Sequence, residues 1–219
     1  MPWNWTHTDW PSFRYDSAAI EPLERRFLLS SGEILGAVRH VTGDERDQLR
    51  IELLSEEALR TSAIEGEVLD RSSVQSSLRR QFGLATDGPP AKPRERGIAE
   101  MMADVYSGFA APLSQEALCQ WHGMLLSHDR GLETIGAYRR HDDAMQIVSG
   151  RVDRPVVHFE APPSAQVPGE MQVFIDWFNR TAPDGTAPLP ALTRATLGHP
   201  WFESIHPFED GNCRLGRAP

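Results

Sequence analysis

The stretch that decides the reading is Trp201–Arg217, WFESIHPFEDGNCRLGR. Its first five residues continue a helical pattern that begins near Ala191, so an apolar helix is expected to end at His206. Gly211 and Asn212 tolerate positive φ, and a turn built on them can aim successive backbone N–H groups at one anion. A helix starting near Asn212 adds the positive end of its dipole to that site. Arg214 and Arg217, three residues apart, then share a helix face and can clamp phosphate oxygens. Asp210 is spaced to hold a magnesium ion beside those phosphates. His206 suits removal of a proton from an incoming hydroxyl, because an ordinary imidazole titrates at about 6.5. Together these parts spell phosphoryl or nucleotidyl transfer. The plain alternative is a helix–turn–helix with a surface histidine and two solvated arginines.

The run HPFEDGNCRLGR, His206–Arg217, resembles the motif of the Fic family, His-Pro-Phe-x-Asp/Glu-Gly-Asn-Gly-Arg-x-x-Arg. The match includes His206, Phe208, Asp210, Gly211, Asn212, Arg214 and Arg217. The resemblance implies a protein adenylyltransferase that moves AMP from ATP to a protein hydroxyl. It implies His206 as general base, Asp210 as the Mg2+ ligand, and Gly211, Asn212, residue 213, Arg214 and Arg217 as the nucleotide cradle. Phe208 is implied to anchor the loop in the core. Cys213 departs from the pattern, which carries a second glycine there. A side chain at that position is expected to crowd the phosphates or to force a backbone change. A redox or nucleophilic role for Cys213 has only its place near a helix N-terminus in its favour.

A second run, TSAIEG at Thr61–Gly66, resembles the family's inhibitory motif, Ser/Thr-x-x-x-Glu-Gly/Asn. The resemblance pairs Glu65 with Arg217, in the place of the γ-phosphate. The physical basis is simple: one guanidinium cannot give its full fork to a carboxylate and a phosphate together. Thr61, Glu65 and Gly66 are therefore the candidate regulatory residues. The plain alternative is a helix C-terminus with a solvated glutamate and a glycine stop.

Met145–Phe159 is the one region with strand character, MQIV and PVVHF around a polar turn. By resemblance it is a flap that holds a target segment by strand pairing, closed by Ala161–Pro163. The partner implied is a protein offering a Ser, Thr or Tyr hydroxyl. His122, in QWHGMLL, is expected to pack or to hydrogen-bond rather than to catalyse. His141, His158 and His199 have no ligand spacing, so no zinc site is expected.

The remaining chain reads as helices. They are expected at about Ser17–Val41, with Ile20, Leu23, Phe27, Ile34 and Val38 as the apolar stripe, and at about Asp44–Ile64, with Leu49, Leu53, Leu54, Ala58 and Leu59. Others are expected at about Ser72–Gln81, Arg94–Phe109, Ser114–Ser127 and Gly169–Asn179. Pro200 falls inside the last long helix and is expected to kink or break it, at about 3 kcal/mol. The aromatic start, Trp3, Trp5, Trp10 and Phe13, reads as an arm laid on the core, similar to the domain found ahead of many bacterial Fic cores. Gly83–Pro93 is a loop and the expected boundary. The fold expected is mainly α: a Fic-type helical bundle with one β-hairpin flap. It divides into a helical domain over 1–83 and a Fic core over 94–219, which by resemblance stops short just after the motif.

A formal net charge of −9 argues against nucleic acid and anionic membranes, which reward basic surfaces. Two cysteines make no disulfide framework, no apolar run is long enough to span a bilayer, and Met1–Trp10 is no secretory signal. A cytoplasmic protein is expected, and a homodimer is compatible with the sequence. Two other functions fit the same residues. One is a non-catalytic remnant that docks or dimerises through its N-terminal helices. The other is the reverse reaction, AMP removal with Glu65 orienting water.

Overall fold

The structure, a computed structural model, describes residues 3–88, 90–151 and 154–218, with the side chain of residue 154 excepted. Residue 89 of the expected loop, residues 152–153 of the expected flap and the terminal residues 1–2 and 219 lie outside the described residues. The architecture is mainly α with one antiparallel hairpin. Its elements are α1 (Ser17–Val38), α2 (Gly43–Ile64), α3 (Arg71–Gln81), α4 (Pro93–Gly108), α5 (Gln115–Leu126), β1 (Gln146–Arg151), β2 (Arg154–Glu160), α6 (Val167–Arg180), α7 (Ala191–Ile205) and the short α8 (Asn212–Leu215).

The helix starts are set by local chemistry. The Asp16 carboxylate accepts from Ala18 and Ala19 at the head of α1, and Asp70 accepts from Ser73 in α3. Thr42 and Glu45 form a reciprocal capping box on α2. Helix α7 begins after Pro190 and has no side-chain cap of its own. Glu24, buried on α1, supplies one from a distance: its Oε1 accepts from Thr193 N at 2.6 Å and from Thr193 Oγ1 at 3.0 Å.

Helix α4 is the centre of the molecule, packed by α2, α3 and α5. A Cβ on Gly97 would sit 2.2 Å from the Met124 carbonyl oxygen, so only glycine allows α4 and α5 this close. Ile98, Met101, Leu118, Leu125, Leu126, Met171, Phe202 and Ile205 fill the core between these helices, α6 and α7. The N-terminal arm crosses α7: Trp10 and Phe13 pack on Trp201 at 6.2 and 5.7 Å, and Trp10 Nε1 donates to Glu170. It ends in a 3-10 turn, Asn4–Thr6, where Trp3 meets Phe159 of the hairpin.

Three local expectations are corrected. Helix α7 runs through Pro200 without a break. The burial of Trp201, Phe202 and Ile205 just beyond it holds the helical path that one lost hydrogen bond would loosen. The stripe of α1 is not core: Leu23, Phe27 and Ile34 are 48, 41 and 60% exposed, because α1 packs chiefly on α7 and turns Glu24 toward it. Of the expected α2 stripe, Ala58 is buried and Leu54 and Leu59 pack on the core, but Leu49 and Leu53 lie on the exposed side and Ile51, Ser55, Thr61 and Ser62 complete the buried face.

His122 is fully buried on α5, stacked 4.3 Å from Phe208, with Nδ1 accepting from Gly136 N. Burial pushes its pKa down to about 4. Its unfolded form takes a proton near 6.5, so the neutral imidazole contributes its full stability above that pH and loses it as pH falls toward 4. Urea unfolding between pH 7 and 4 is expected to show a loss of about 3 kcal/mol from this group. In His122→Asn this part of the slope is absent. An unchanged slope in the variant would reject the assignment.

Candidate functional site

The site is built where α7 ends. His206 caps the helix in the left-handed conformation, φ 51° and ψ 61°, and is the one non-glycine described residue with positive φ. That conformation costs a residue with a Cβ roughly 1–2 kcal/mol, so neighbours must hold it. Arg139 does so. Its Nε donates to the His206 carbonyl at 2.7 Å and Nη2 reaches the Ile205 carbonyl at 3.3 Å. The Arg139 backbone N–H also donates to the Pro207 carbonyl.

Beyond His206 the chain makes a tight loop. Phe208 is fully buried against His122, Tyr138 and Phe202. Asn212 pinches the loop shut, accepting from Phe208 N at 2.9 Å and donating to Phe208 O at 2.8 Å. Both ends of its amide are thereby used within the loop, so its side chain differs from the expected phosphate ligand. Gly211 turns at φ 75° and starts α8, and a Cβ there would press on Leu126 at 3.0 Å. The Asp210 carboxylate accepts from Gly211 N and keeps more than half of its surface exposed.

Arg214 and Arg217 both turn toward the α2–α3 connection. Arg217 Nη2 donates to Glu65 Oε1 at 3.1 Å, and its Nη1 donates to Thr61 Oγ1 at 3.0 Å. Arg214 is almost fully buried, and its Nη1 donates to Glu67 Oε2 at 2.6 Å. Gly66, at φ 78°, ends α2 and lets the chain present Glu65 and Glu67 in turn. The expected pair Glu65–Arg217 is thus formed. The pair Glu67–Arg214 was not anticipated; acidic residues spaced two apart after the helix stop were its only sequence signal. Arg217 lies in the turn after α8 rather than on the helix itself.

The electrostatics suit a base more than a nucleophilic thiol. Burial pushes the His206 imidazole below its ordinary value and the Arg139 cation adds to the fall, while Glu203 and Asp210 oppose it. The neutral, proton-accepting form therefore dominates near neutrality. Cys213 points away from a reactive role: burial first, then the Glu203 carboxylate at 3.0 Å, push its thiol up to about 12.

The residues fit a magnesium ion only as one carried in with phosphates. Among the described residues no three His, Cys, Asp or Glu side chains cluster to cage a metal. Asp210 alone offers an exposed carboxylate at the loop, and magnesium is commonly held by one carboxylate plus substrate oxygens. A cavity of about 620 Å³, lined among others by Trp121, Phe178 and Arg194, includes none of residues 206–217. No described helix is long and apolar enough to cross a membrane.

Known proteins share this fold. The family model described as Fic/DOC family matches residues 112–218, and one described as a domain of unknown function (DUF4172) matches residues 3–84. A Fic family protein from Desulfovibrio desulfuricans G20 is 25% identical, with a TM-score of 0.58 over 95% of this chain and 57% of its own. A Fic domain containing signaling protein from Bacteroides thetaiotaomicron VPI-5482 is 19% identical, with a TM-score of 0.60 over 84% of this chain and 66% of its own. Fic-1 from C. elegans shares the fold at 20% identity, a TM-score of 0.56, and coverage of 92 and 57%. The chain spans less than two thirds of the length of each. Comparison with curated proteins gave no match.

Proposed function

We propose that this chain, whose residues 112–218 match the Fic/DOC family, transfers AMP from ATP to a protein hydroxyl and that residues 61–67 hold this activity in check. The observation that carries the proposal is the meeting of three groups at one loop: a strained, neutral His206, the Gly211 turn, and two arginines held by carboxylates.

In the proposed reaction the target hydroxyl oxygen attacks the α-phosphorus of ATP. The bond from that phosphorus to the bridging oxygen breaks and pyrophosphate leaves. His206 takes the hydroxyl proton, which its lowered pKa allows near neutral pH. Arg214 and Arg217 receive phosphate oxygens once freed from Glu67 and Glu65, and backbone N–H groups at the start of α8 face the same anion. Asp210 would hold a magnesium ion brought in with the phosphates, and that ion would supply positive charge beside the leaving group. The target segment pairs with the hairpin, which exposes Ile147, Val148 and Val156 for side-chain contacts. Carboxylates bound to both arginines suit an inhibited resting state, because each stands where a phosphate oxygen must go. Incubation with ATP labelled on its α-phosphate, followed by detection of labelled protein, tests the reaction. Release of inhibition by Glu65→Gly with no label on any protein would reject it.

The second carboxylate gives its own prediction. Glu67→Gln keeps a hydrogen-bond acceptor for buried Arg214 but removes the competing charge. In a Glu65→Gly background it is expected to tighten ATP binding by a further several-fold, measured calorimetrically. Equal affinity in the single and double variants would make Glu67 a structural partner only.

A further inference from the structure

We propose that Arg139 is a positioning residue that ties the base of the hairpin to the conformation of His206, an inference that rests on His206 as the base. Arg139 is 2% exposed and has no carboxylate partner among the described residues. A buried cation without a counter-ion is costly and persists only where carbonyls and hydroxyls replace its water. Arg139 finds those groups on two sides. On one side are the carbonyls of Ile205 and His206, at the negative end of the α7 dipole. On the other are the Pro162 carbonyl at 2.5 Å and the Ser164 hydroxyl at 2.9 Å, just past the end of β2. The Ser164 hydroxyl in turn donates to the His141 carbonyl, closing the hairpin base.

The fork geometry explains why arginine serves. Nε fixes the direction of the His206 carbonyl, which is set by ψ of the strained residue, and the two terminal nitrogens reach the hairpin base from the same rigid plane. A shift of residues 162–164 therefore moves the carbonyl of His206 and with it the aim of the imidazole. A target strand that pairs with the hairpin acts on the base through this one side chain. Lysine offers a point charge and cannot span both sides.

Three charged groups face His206: Glu203 from α7, Asp210 from the loop, and Arg139. Glu203 and Asp210 favour the protonated ring and Arg139 disfavours it. Loss of the Arg139 charge thus raises the His206 pKa, whereas a purely structural arginine far from the ring leaves it unmoved.

The test uses the full chain in the Glu65→Gly background, with Arg139→Met, Arg139→Lys and Ser164→Ala. The His206 titration is followed by NMR with 15N-histidine, and transfer and ATP binding are measured separately. Arg139→Met is expected to raise the His206 pKa and to lower kcat at least tenfold, with ATP affinity within about threefold. Arg139→Lys keeps the charge but not the fork, so it lowers kcat with little change in pKa. Should Arg139→Met fail to fold, Arg139→Lys decides by the same kcat-against-affinity split. Ser164→Ala cuts only the hairpin side and is expected to give a smaller fall in kcat. Unaltered His206 titration and kcat in a folded arginine variant overturn the proposal. Full transfer by His206→Ala would instead overturn the base assignment, and the two failures are told apart by which variant keeps its rate.

Discussion

In a chain activated by Glu65→Gly, His206→Ala is expected to lower AMP transfer by about a hundred- to ten-thousand-fold, the usual worth of a positioned general base. The geometry supports so large a fall. His206 ends a buried helix, sits in a left-handed conformation that Arg139 holds, and is kept neutral by burial. His122 cannot take over. His122 lies beneath the loop, stacked on Phe208 with its Nδ1 engaged by Gly136. Nucleotide affinity is expected to change little, because the arginines and the Gly211 turn remain. The check is a comparison of transfer rate and ATP binding in the same preparation. A variant that transfers within about threefold of its parent removes His206 from the chemistry.

The second large effect is the release of Arg217. Glu65→Gly removes the carboxylate 3.1 Å from Arg217 Nη2 and leaves Thr61 as the hydrogen-bond partner of Arg217 among the described residues. ATP binding is expected to tighten at least tenfold, the scale on which a charge-assisted bidentate contact acts. Self-labelling is expected to appear with it. Adding Arg217→Ala abolishes the gain, since the freed guanidinium is what binds the phosphate. A gain that survives in the double variant would assign the effect to loosening of α2 rather than to the arginine.

The legible parts of the site are those whose chemistry is compressed into a few neighbouring residues. His206, Asp210, Gly211 and the two arginines lie within twelve residues, and the roles proposed for them as turn, charge and base follow from type and order. Glu65 was readable only through the resemblance of TSAIEG to the family's inhibitory motif, since a helix stop beside a carboxylate is by itself commonplace. Arg139 was not, because its partners are backbone carbonyls at residues 162, 205 and 206, which no side-chain pattern announces. Asn212 is of the right type for a phosphate ligand, yet its amide closes the loop on Phe208, a choice made by three-dimensional reach.

The helices teach a related lesson. Their number and extents follow from periodicity, caps and glycine stops, as at Thr42 and Gly66. Their orientations do not. On α2 Leu49 and Leu53 attract the eye but are exposed, while Leu54, Ala58 and Leu59 do meet the core and the small Ser55, Ala58 and Ser62 allow close packing on α3 and α4. On α1 the buried residue is a glutamate, because the N-terminus of α7 needs an acceptor more than the contact needs a leucine. Pro200 shows that a lost helical hydrogen bond is overridden where aromatic burial follows at once.

The central claim is that carboxylates of the α2–α3 connection occupy the phosphate-binding arginines of a nucleotidyltransferase. The most direct test is calorimetric titration of ATP with magnesium into the parent chain, Glu65→Gly, and Glu65→Gly with Arg217→Ala. The account predicts weak or no binding to the parent, binding at least tenfold tighter to Glu65→Gly, and loss of that gain in the double variant. Equal ATP affinity in all three would contradict it.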